Sequence, residues 1–191
     1  MPQSWRHAIR TLVLLTGLVL AGLFAQPAHA QSLGWVKQGG SGSPNVGNAI
    51  AADGSGNTCV AGAFQGSTTF GPSQVNQTTL TLTSAGVTDL FVAKYNAAGA
   101  LLWVTQAGSA AADAVYGIAV DGSDNCYVTG VFEGNDNLAD TFVTKVDAGG
   151  TLLWTKQTGG ESESIGYAIA ADGDGNSYVT GVFGGSAIFG L

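Results

Sequence analysis

Beyond residue 30 the chain has no histidine and no arginine, because His7, His29, Arg6 and Arg10 all fall in the first thirty positions. Catalysis by a serine or cysteine paired with an imidazole therefore has no base in the remaining 161 residues. A zinc site of histidine and cysteine fails for the same reason, since only Cys59 and Cys126 remain as soft ligands. Cations are also scarce: Lys37, Lys94, Lys145 and Lys156 face all 13 acidic residues, a formal charge of −9. Nucleic acid is not an expected partner, because phosphate binding needs clustered Lys or Arg. Acidity of this kind bears on solubility and says nothing about fold. Long helical runs are missing too. With 30 glycines and only 10% charged residues, the composition suits short strands joined by tight turns.

The first thirty residues read differently from the rest. Arg6, His7 and Arg10 precede an uncharged apolar run over residues 11–25, followed by Pro27 and the small-residue site Ala28-His29-Ala30. These are the three parts of a secretory signal, with cleavage expected before Gln31. The apolar run is short of the ~20 residues a spanning helix needs, so no membrane span is expected after cleavage. The expected organisation is a signal peptide over 1–30 and one repeat domain over 31–191.

Self-similarity is the strongest signal in that domain. Residues 49–62 (AIAADGSGNTCVAG), 117–130 (GIAVDGSDNCYVTG) and 168–181 (AIAADGDGNSYVTG) align, and a second block, 89–103 (DLFVAKYNAAGALLW), matches 140–154 (DTFVTKVDAGGTLLW). Trp35, Trp103 and Trp154 are spaced by 68 and then 51 residues. The excess lies mostly in an insertion over 66–87, whose threonine-rich 78–84 is expected to extend a hairpin. The periodic core is about fifty residues, near kelch-type spacing.

Each unit contains four strand-like runs, in the second unit 117–121, 127–132, 141–147 and 151–157. Asp-Gly-Ser-Asp-Asn joins the first pair and Asp-Ala-Gly-Gly the second, both turn compositions with Gly, Asn or Asp where positive φ is required. The inner strands are apolar on both faces. Ile118 and Val120 face one way and Ala119 the other, and small residues recur at the second face (Ala51, Ala119, Ala170), as expected where sheets stack closely. Phe64, Phe132, Phe183 and the three tryptophans are the bulky packing residues. The expectation is an all-β fold: a β-propeller-like repeat of four-stranded antiparallel blades in an incomplete ring, two full blades plus two partial ones. Its units span about 45–107, 113–158 and 164–191, preceded by a lone fourth strand over 33–38. Open sheet edges at the ends invite pairing.

Two cysteines in an exported chain raise the question of a disulfide. Cys59 occupies the slot of Tyr127 and Tyr178, whereas Cys126 occupies the preceding slot, shared with Thr58 and Ser177. Neighbouring slots on a strand face opposite ways. Since a bridge needs Cα atoms within ~7 Å, both are expected to be free, small and buried.

The string Asp-Gly-x-x-Asn-x-Tyr-Val-Thr-Gly, followed by Asp-x-Phe-Val-x-Lys-x-Asn/Asp-x-x-Gly-x-Leu-Leu-Trp, resembles the bacterial SBBP (β-propeller) repeat over nearly the whole of 31–191. The resemblance implies a propeller, commonly seven-bladed, in secreted or surface-attached proteins. It brings no shared catalytic residues, and this chain holds too few repeats to close such a ring. Residues 145–154 (KVDAGGTLLW) also loosely resemble the repeat of quinone-dependent propeller dehydrogenases. Without Arg or His a polyanionic quinone lacks its ligands, so no cofactor is expected.

The turns 53–57, 121–125 and 172–176 place carboxylates at alternate positions, as calcium loops do. The third is the richest and supplies the calcium candidates Asp172, Asp174 and Asn176. No bidentate acid follows at the required spacing, so a hairpin turn explains the motif with fewer assumptions. Glu133, Asp136, Asp140, Glu161 and Glu163 are the carboxylates available for glycoside cleavage. Asp140 repeats as Asp89, which marks a structural residue, and Glu161 and Glu163 lie in a polar link between units. Residues 39–47 are glycine-rich but lack the following helix and lysine of a phosphate-binding loop. The expected function is a non-enzymatic secreted or cell-surface scaffold, or a module binding a protein or glycan. The alternatives are a propeller hydrolase or lyase acting on polysaccharide, and a fragment without independent function.

Overall fold

The computed structural model describes residues 35–36, 44–71, 80–133, 138–158 and 162–184, all in the unit Trp35–Leu191. The expected signal, residues 185–191 and most of the expected lone strand over 33–38 lie outside the described residues. All regular structure described is strand: β1 (Asn45–Ala52), β2 (Thr58–Phe64), β3 (Ser67–Phe70), β4 (Leu80–Thr83), β5 (Asp89–Tyr95), β6 (Leu101–Ala107), β7 (Asp113–Val120), β8 (Cys126–Glu133), β9 (Ala139–Val146), β10 (Leu152–Thr158), β11 (Ser164–Ala171) and β12 (Ser177–Phe183).

Three of the connections follow from one piece of side-chain chemistry. In the turn after β1, Asp53 Oδ1 accepts from the backbone N–H groups of Ser55 (3.0 Å) and Asn57 (2.8 Å), and Asp53 Oδ2 accepts from Asn57 Nδ2 (2.8 Å). Asp121 repeats this set with Ser123 and Asn125, and Asp172 repeats it with Asp174 and Asn176. A short acceptor bonding its own backbone two and four residues on is what makes Asp a turn former. The fourth turn position has positive φ, at Gly56 (80°), Asp124 (64°) and Gly175 (87°).

The strands assemble into two complete four-stranded antiparallel sheets, ordered β1-β2-β5-β6 and β7-β8-β9-β10, followed by the pair β11-β12. These are two blades and the inner half of a third. Each first strand carries one extra residue, where the register slips at Asn48, Tyr116 and Tyr167. The first strand of the second blade therefore pairs from Asp113, earlier than the run at 117 suggests. Opposite each bulge stands a glycine: a Cβ at Gly62, Gly130 or Gly181 would meet the backbone carbonyl oxygen of Val46, Ala114 or Ile165 respectively. The bulge bends the first strand onto its partner and leaves no room for a side chain there.

The insertion in the first unit does not lengthen a blade hairpin as expected. β3 and β4 pair with each other as a separate two-stranded sheet. The reason is packing: Phe70 lies 4.8 Å from Phe91 and, with Leu82, joins the cluster of Phe64, Ala93 and Tyr95 on the first blade.

Each sheet has a forward face, turned to the next sheet in sequence, and a backward face. Between the first two blades lies the main core, formed by Cys59, Ala61, Leu90 and Val92 with Val115, Cys126, Val128, Phe142 and Val146. Close approach of the second and third sheets rests on small residues, since a Cβ at Gly117 would stand 3.1 Å from the Cα of Ala168.

The expectation of two free cysteines is overturned. Cys59 and Cys126 form a disulfide, with Cα atoms 6.7 Å apart, and the described residues contain no free cysteine. The opposite facing of the two slots is the physical cause. Cys59 is on the forward face of the first blade and Cys126 on the backward face of the second, so two stacked sheets bring them together. Opposite facing forbids a bridge along one strand and permits one between neighbouring sheets.

Candidate functional site

Among the described residues, the carboxylates of Asp140 and Glu133, and of Asp89, the counterpart of Asp140, accept hydrogen bonds within the fold. Asp89 accepts from the backbone N–H groups of Ala85 (3.0 Å) and Gly86 (3.3 Å) and from Gln106 Nε2 (2.6 Å). Asp140 repeats the last contact with Gln157 (2.8 Å), which fits its reading as a structural residue. Glu133 accepts from the backbone of Ala112 at 3.4 Å. Glu163 lies beside β11, where its carbonyl accepts from Gly184 (2.9 Å). Asp136 and Glu161 lie outside the described residues. Asp113, missed in the sequence, takes Ser109 N–H (2.6 Å) and Ser109 Oγ (3.0 Å). Burial raises its pKa, the Ser109 bonds oppose this, and the Asp89 charge adds to the rise.

The calcium candidates sit in the third turn. Asp172 accepts from Asp174 N–H, Asn176 N–H, Asn176 Nδ2 and Tyr178 OH, at 2.9–3.0 Å. The first two turns use the same Asp-centred bonds, the first of them with a single acid, so hairpin formation accounts for the motif. Among the described residues no group of three or more His, Cys, Asp or Glu is placed to hold a metal.

These turn carboxylates are more acidic than free ones. The side-chain bond from Asn176, then its backbone N–H, lowers Asp172 to about 2. At Asp53 and Asp121 burial opposes ionisation, but the bonds from Asn57 and Asn125 outweigh it and the pKa falls. At Asp147 the backbone N–H of Thr151 leads the lowering. A carboxyl group more acidic when folded contributes stability above its unfolded pKa of about 4, and loses it as pH falls through the folded value. Asp113 has the opposite sign and gains on acidification, one group against four. The melting midpoint is therefore expected to drop steadily between about pH 5 and pH 2. A flat or rising midpoint over that range would contradict the assignment.

A second set of residues links turn to turn. Lys94, which pairs across the sheet with Cys59, puts Nζ 3.1 Å from Asp53 Oδ2 and donates to the Asp124 carbonyl of the next blade at 3.1 Å. In the second blade Lys145 lies 3.7 Å from Asp121 Oδ2 and over the ring of Tyr127. The single phenol proton of Tyr127 is within reach of Asp121 Oδ2 (3.0 Å) and of the Gly175 carbonyl of the third sheet (2.8 Å). Each blade thus holds its own turn and reaches for the same carbonyl in the next. Tryptophans do likewise at the other turn: Trp103 donates to Ala148 (2.9 Å) and Trp35 to Ala97 (3.2 Å). Trp35 therefore sits on the first blade as Trp103 sits on the second.

Among the exposed side chains is a row of bulge residues at equivalent places on successive sheets. β1, β7 and β11 are the terminal strands of their sheets, and Asn48, Tyr116 and Tyr167 occupy the same place on each. Asn48 Nδ2 donates to the Val115 carbonyl (2.9 Å). The rings of Tyr116 and Tyr167 lie 6.0 Å apart, both exposed. The signal was present in the sequence, since each residue immediately precedes an aligned block, but a bulge cannot be told from a register shift without the partner strand.

Among known proteins, an uncharacterised WD repeat-containing protein of Acanthamoeba polyphaga mimivirus is 25% identical over 188 residues, covering 81% of this chain and 14% of that protein. The chain spans about a seventh of that relative's length. Residues 102–131 and 153–182 match the model of the SBBP β-propeller repeat. Each matched stretch begins in the last strand of one sheet and ends in the second strand of the next, crossing an interface where the linking residues lie. These two stretches of the antiparallel sheets are thus similar to SBBP β-propeller repeats.

Proposed function

We propose that this chain is a non-enzymatic, exported repeat scaffold that binds a protein or glycan along the row Asn48, Tyr116 and Tyr167. The observation that carries the reading is the exposed tyrosine pair, at equivalent bulges on adjacent blades and free of any packing duty that the fold explains. Exposed aromatic rings combine a large apolar face with a polar tip and serve recognition more often than stability. The row carries no lysine or arginine, so its chemistry suits a neutral ligand with an apolar ring face, such as a neutral glycan. Engagement of the Asp89, Asp140 and Glu133 carboxylates in hydrogen bonds of the fold supports a role other than acid–base catalysis. The Cys59–Cys126 bridge supports export, since structural disulfides persist in oxidising compartments.

Isothermal titration of the purified chain against a panel of neutral oligosaccharides tests this. The double variant Tyr116→Ala, Tyr167→Ala is expected to bind roughly 10-fold more weakly or worse, the equivalent of about 1.4 kcal/mol, with an unchanged melting midpoint. The Tyr116→Phe, Tyr167→Phe pair should keep most of the affinity if ring stacking is the interaction. Binding that survives loss of both rings, or a panel without one binder, counts against the reading.

A further inference from the structure

The two interfaces between successive sheets are held differently. The first two blades are tied through Cys59 and Cys126, which are all the cysteine the chain has. The second and third sheets meet instead beneath a pair of phenols. Tyr116 on β7 and Tyr167 on β11 are the extra residues at equivalent bulges, and their rings lie 6.0 Å apart, inclined by 58°, which is contact range for an aromatic pair. The backbones that carry them are close as well: a Cβ at Gly117, beside Tyr116, would stand 3.1 Å from the Cα of Ala168, beside Tyr167. The two rings are 43% and 50% exposed, so a small solute reaches both. The other three tyrosines form no such pair among the described residues. Tyr95 packs on Trp35, Tyr127 is fully buried against Trp154, and the Tyr178 hydroxyl donates to Asp172.

We propose that Tyr116 and Tyr167 form a modification site, at which oxidative coupling joins the two rings as dityrosine and links the second sheet to the third. The co-reactant is a one-electron oxidant of the peroxidase class supplied with hydrogen peroxide. Each phenol gives one electron to the oxidant and its hydroxyl proton to water. The two phenoxyl radicals then pair their unpaired electrons in a single C–C bond between ring carbons ortho to the oxygens. Each ring regains aromaticity as the hydrogen on its coupled carbon passes, through solvent, to the oxygen. The pair loses two hydrogen atoms in all, and one hydrogen peroxide becomes two waters. Rings already in contact couple with each other in preference to a ring met by collision. Because both cysteines are in the disulfide, no thiol of the chain reduces the radicals first. The new bond spans 51 residues of sequence (167 minus 116), comparable to the 67 spanned by the disulfide, and constrains the unfolded chain in the same way. Coupling needs no bound ligand, so it stands independently of the glycan-binding reading although it uses the same two rings.

Treatment of the dilute, disulfide-bonded chain with a peroxidase and equimolar hydrogen peroxide tests this. The expected product is a monomer that has lost two hydrogen atoms by mass spectrometry, shows dityrosine fluorescence, and yields on proteolysis a peptide pair joined through Tyr116 and Tyr167. Its melting midpoint is expected to rise by roughly 10 °C. Tyr116→Phe and Tyr167→Phe keep the ring and remove the phenol, so each is expected to fold as wild type and to lose the intramolecular product. Tyr178→Phe is expected to leave that product unchanged. Since the phenylalanine pair keeps most of the affinity for a stacking ligand, failure of coupling and failure of binding are read separately. Coupling that appears only in covalent dimers, that runs through Tyr178, or that persists in either phenylalanine variant at position 116 or 167 overturns the proposal. So does a wild-type monomer that keeps its mass, or a coupled monomer that melts no higher than the untreated chain.

Discussion

Alanine at position 130 is expected to destabilise the protein by roughly 3 kcal/mol or more, despite adding a single methyl group to a glycine with no unusual φ. The added Cβ would land on the Ala114 carbonyl oxygen, with the Ala114 carbonyl carbon and the Val115 Cα both 2.9 Å away. All three obstacles are backbone, so no rotamer change relieves them. The strand must either flatten its bulge at Tyr116, which moves every residue before it out of register, or part from β8. Both routes disturb Val115, a fully buried member of the core between the blades. Gly173→Ala is the matched control, since a Cβ there meets nothing within 4 Å. Chemical denaturation of the two variants beside wild type should show a large drop in midpoint for the first and almost none for the second. Equal effects would show that the cost is backbone entropy shared by any glycine, which amounts to only about 0.5–1 kcal/mol.

That glycine shows where the sequence is informative and where it stops. Each aligned block ends on it, so its recurrence is visible at once, but the need for it lies in the carbonyl of a different strand. The same holds for Lys94 and Lys145. Their place in the second block is plain, while the task of Lys94 depends on a turn carbonyl one sheet away and that of Lys145 on its cross-strand neighbour Tyr127. Blade count, strand order and turn chemistry are legible because they repeat with a period or depend on residues four apart. The β3-β4 hairpin escaped because it occurs once. With no second copy for comparison, its threonines read equally well as an extension of the neighbouring strands, and only the burial of Phe70 against Phe91 decides. The bulge row escaped for a related reason. A bulge is a mismatch in count between two strands, and a single strand read alone carries no count of its partner.

The disulfide is the sharpest case, and it yields the second large expected effect. Slot assignment placed Cys59 and Cys126 on opposite faces, and that assignment is correct. Read within one strand it forbids a bridge, whereas across a stack of sheets it places one sulfur on each side of the same interface. The bridge ties the second strands of the two full blades, β2 and β8, across a sequence separation of 67 residues. A closed loop of that length removes about 4 kcal/mol of chain entropy from the unfolded state. For a chain of this size that corresponds to a fall in melting midpoint of about 10 °C on loss of the bridge. Reductant added to the wild type and the double variant Cys59→Ala, Cys126→Ala should both show it, with the variant insensitive to reductant. Alanine fits this site because Ala61 already packs there, so the double variant is expected to fold with both blades intact. Thiol titration of the denatured, unreduced chain should find no free sulfhydryl. Two titratable thiols, or a midpoint indifferent to reductant, would return the cysteines to the role of plain packing residues and remove the bridge as support for export.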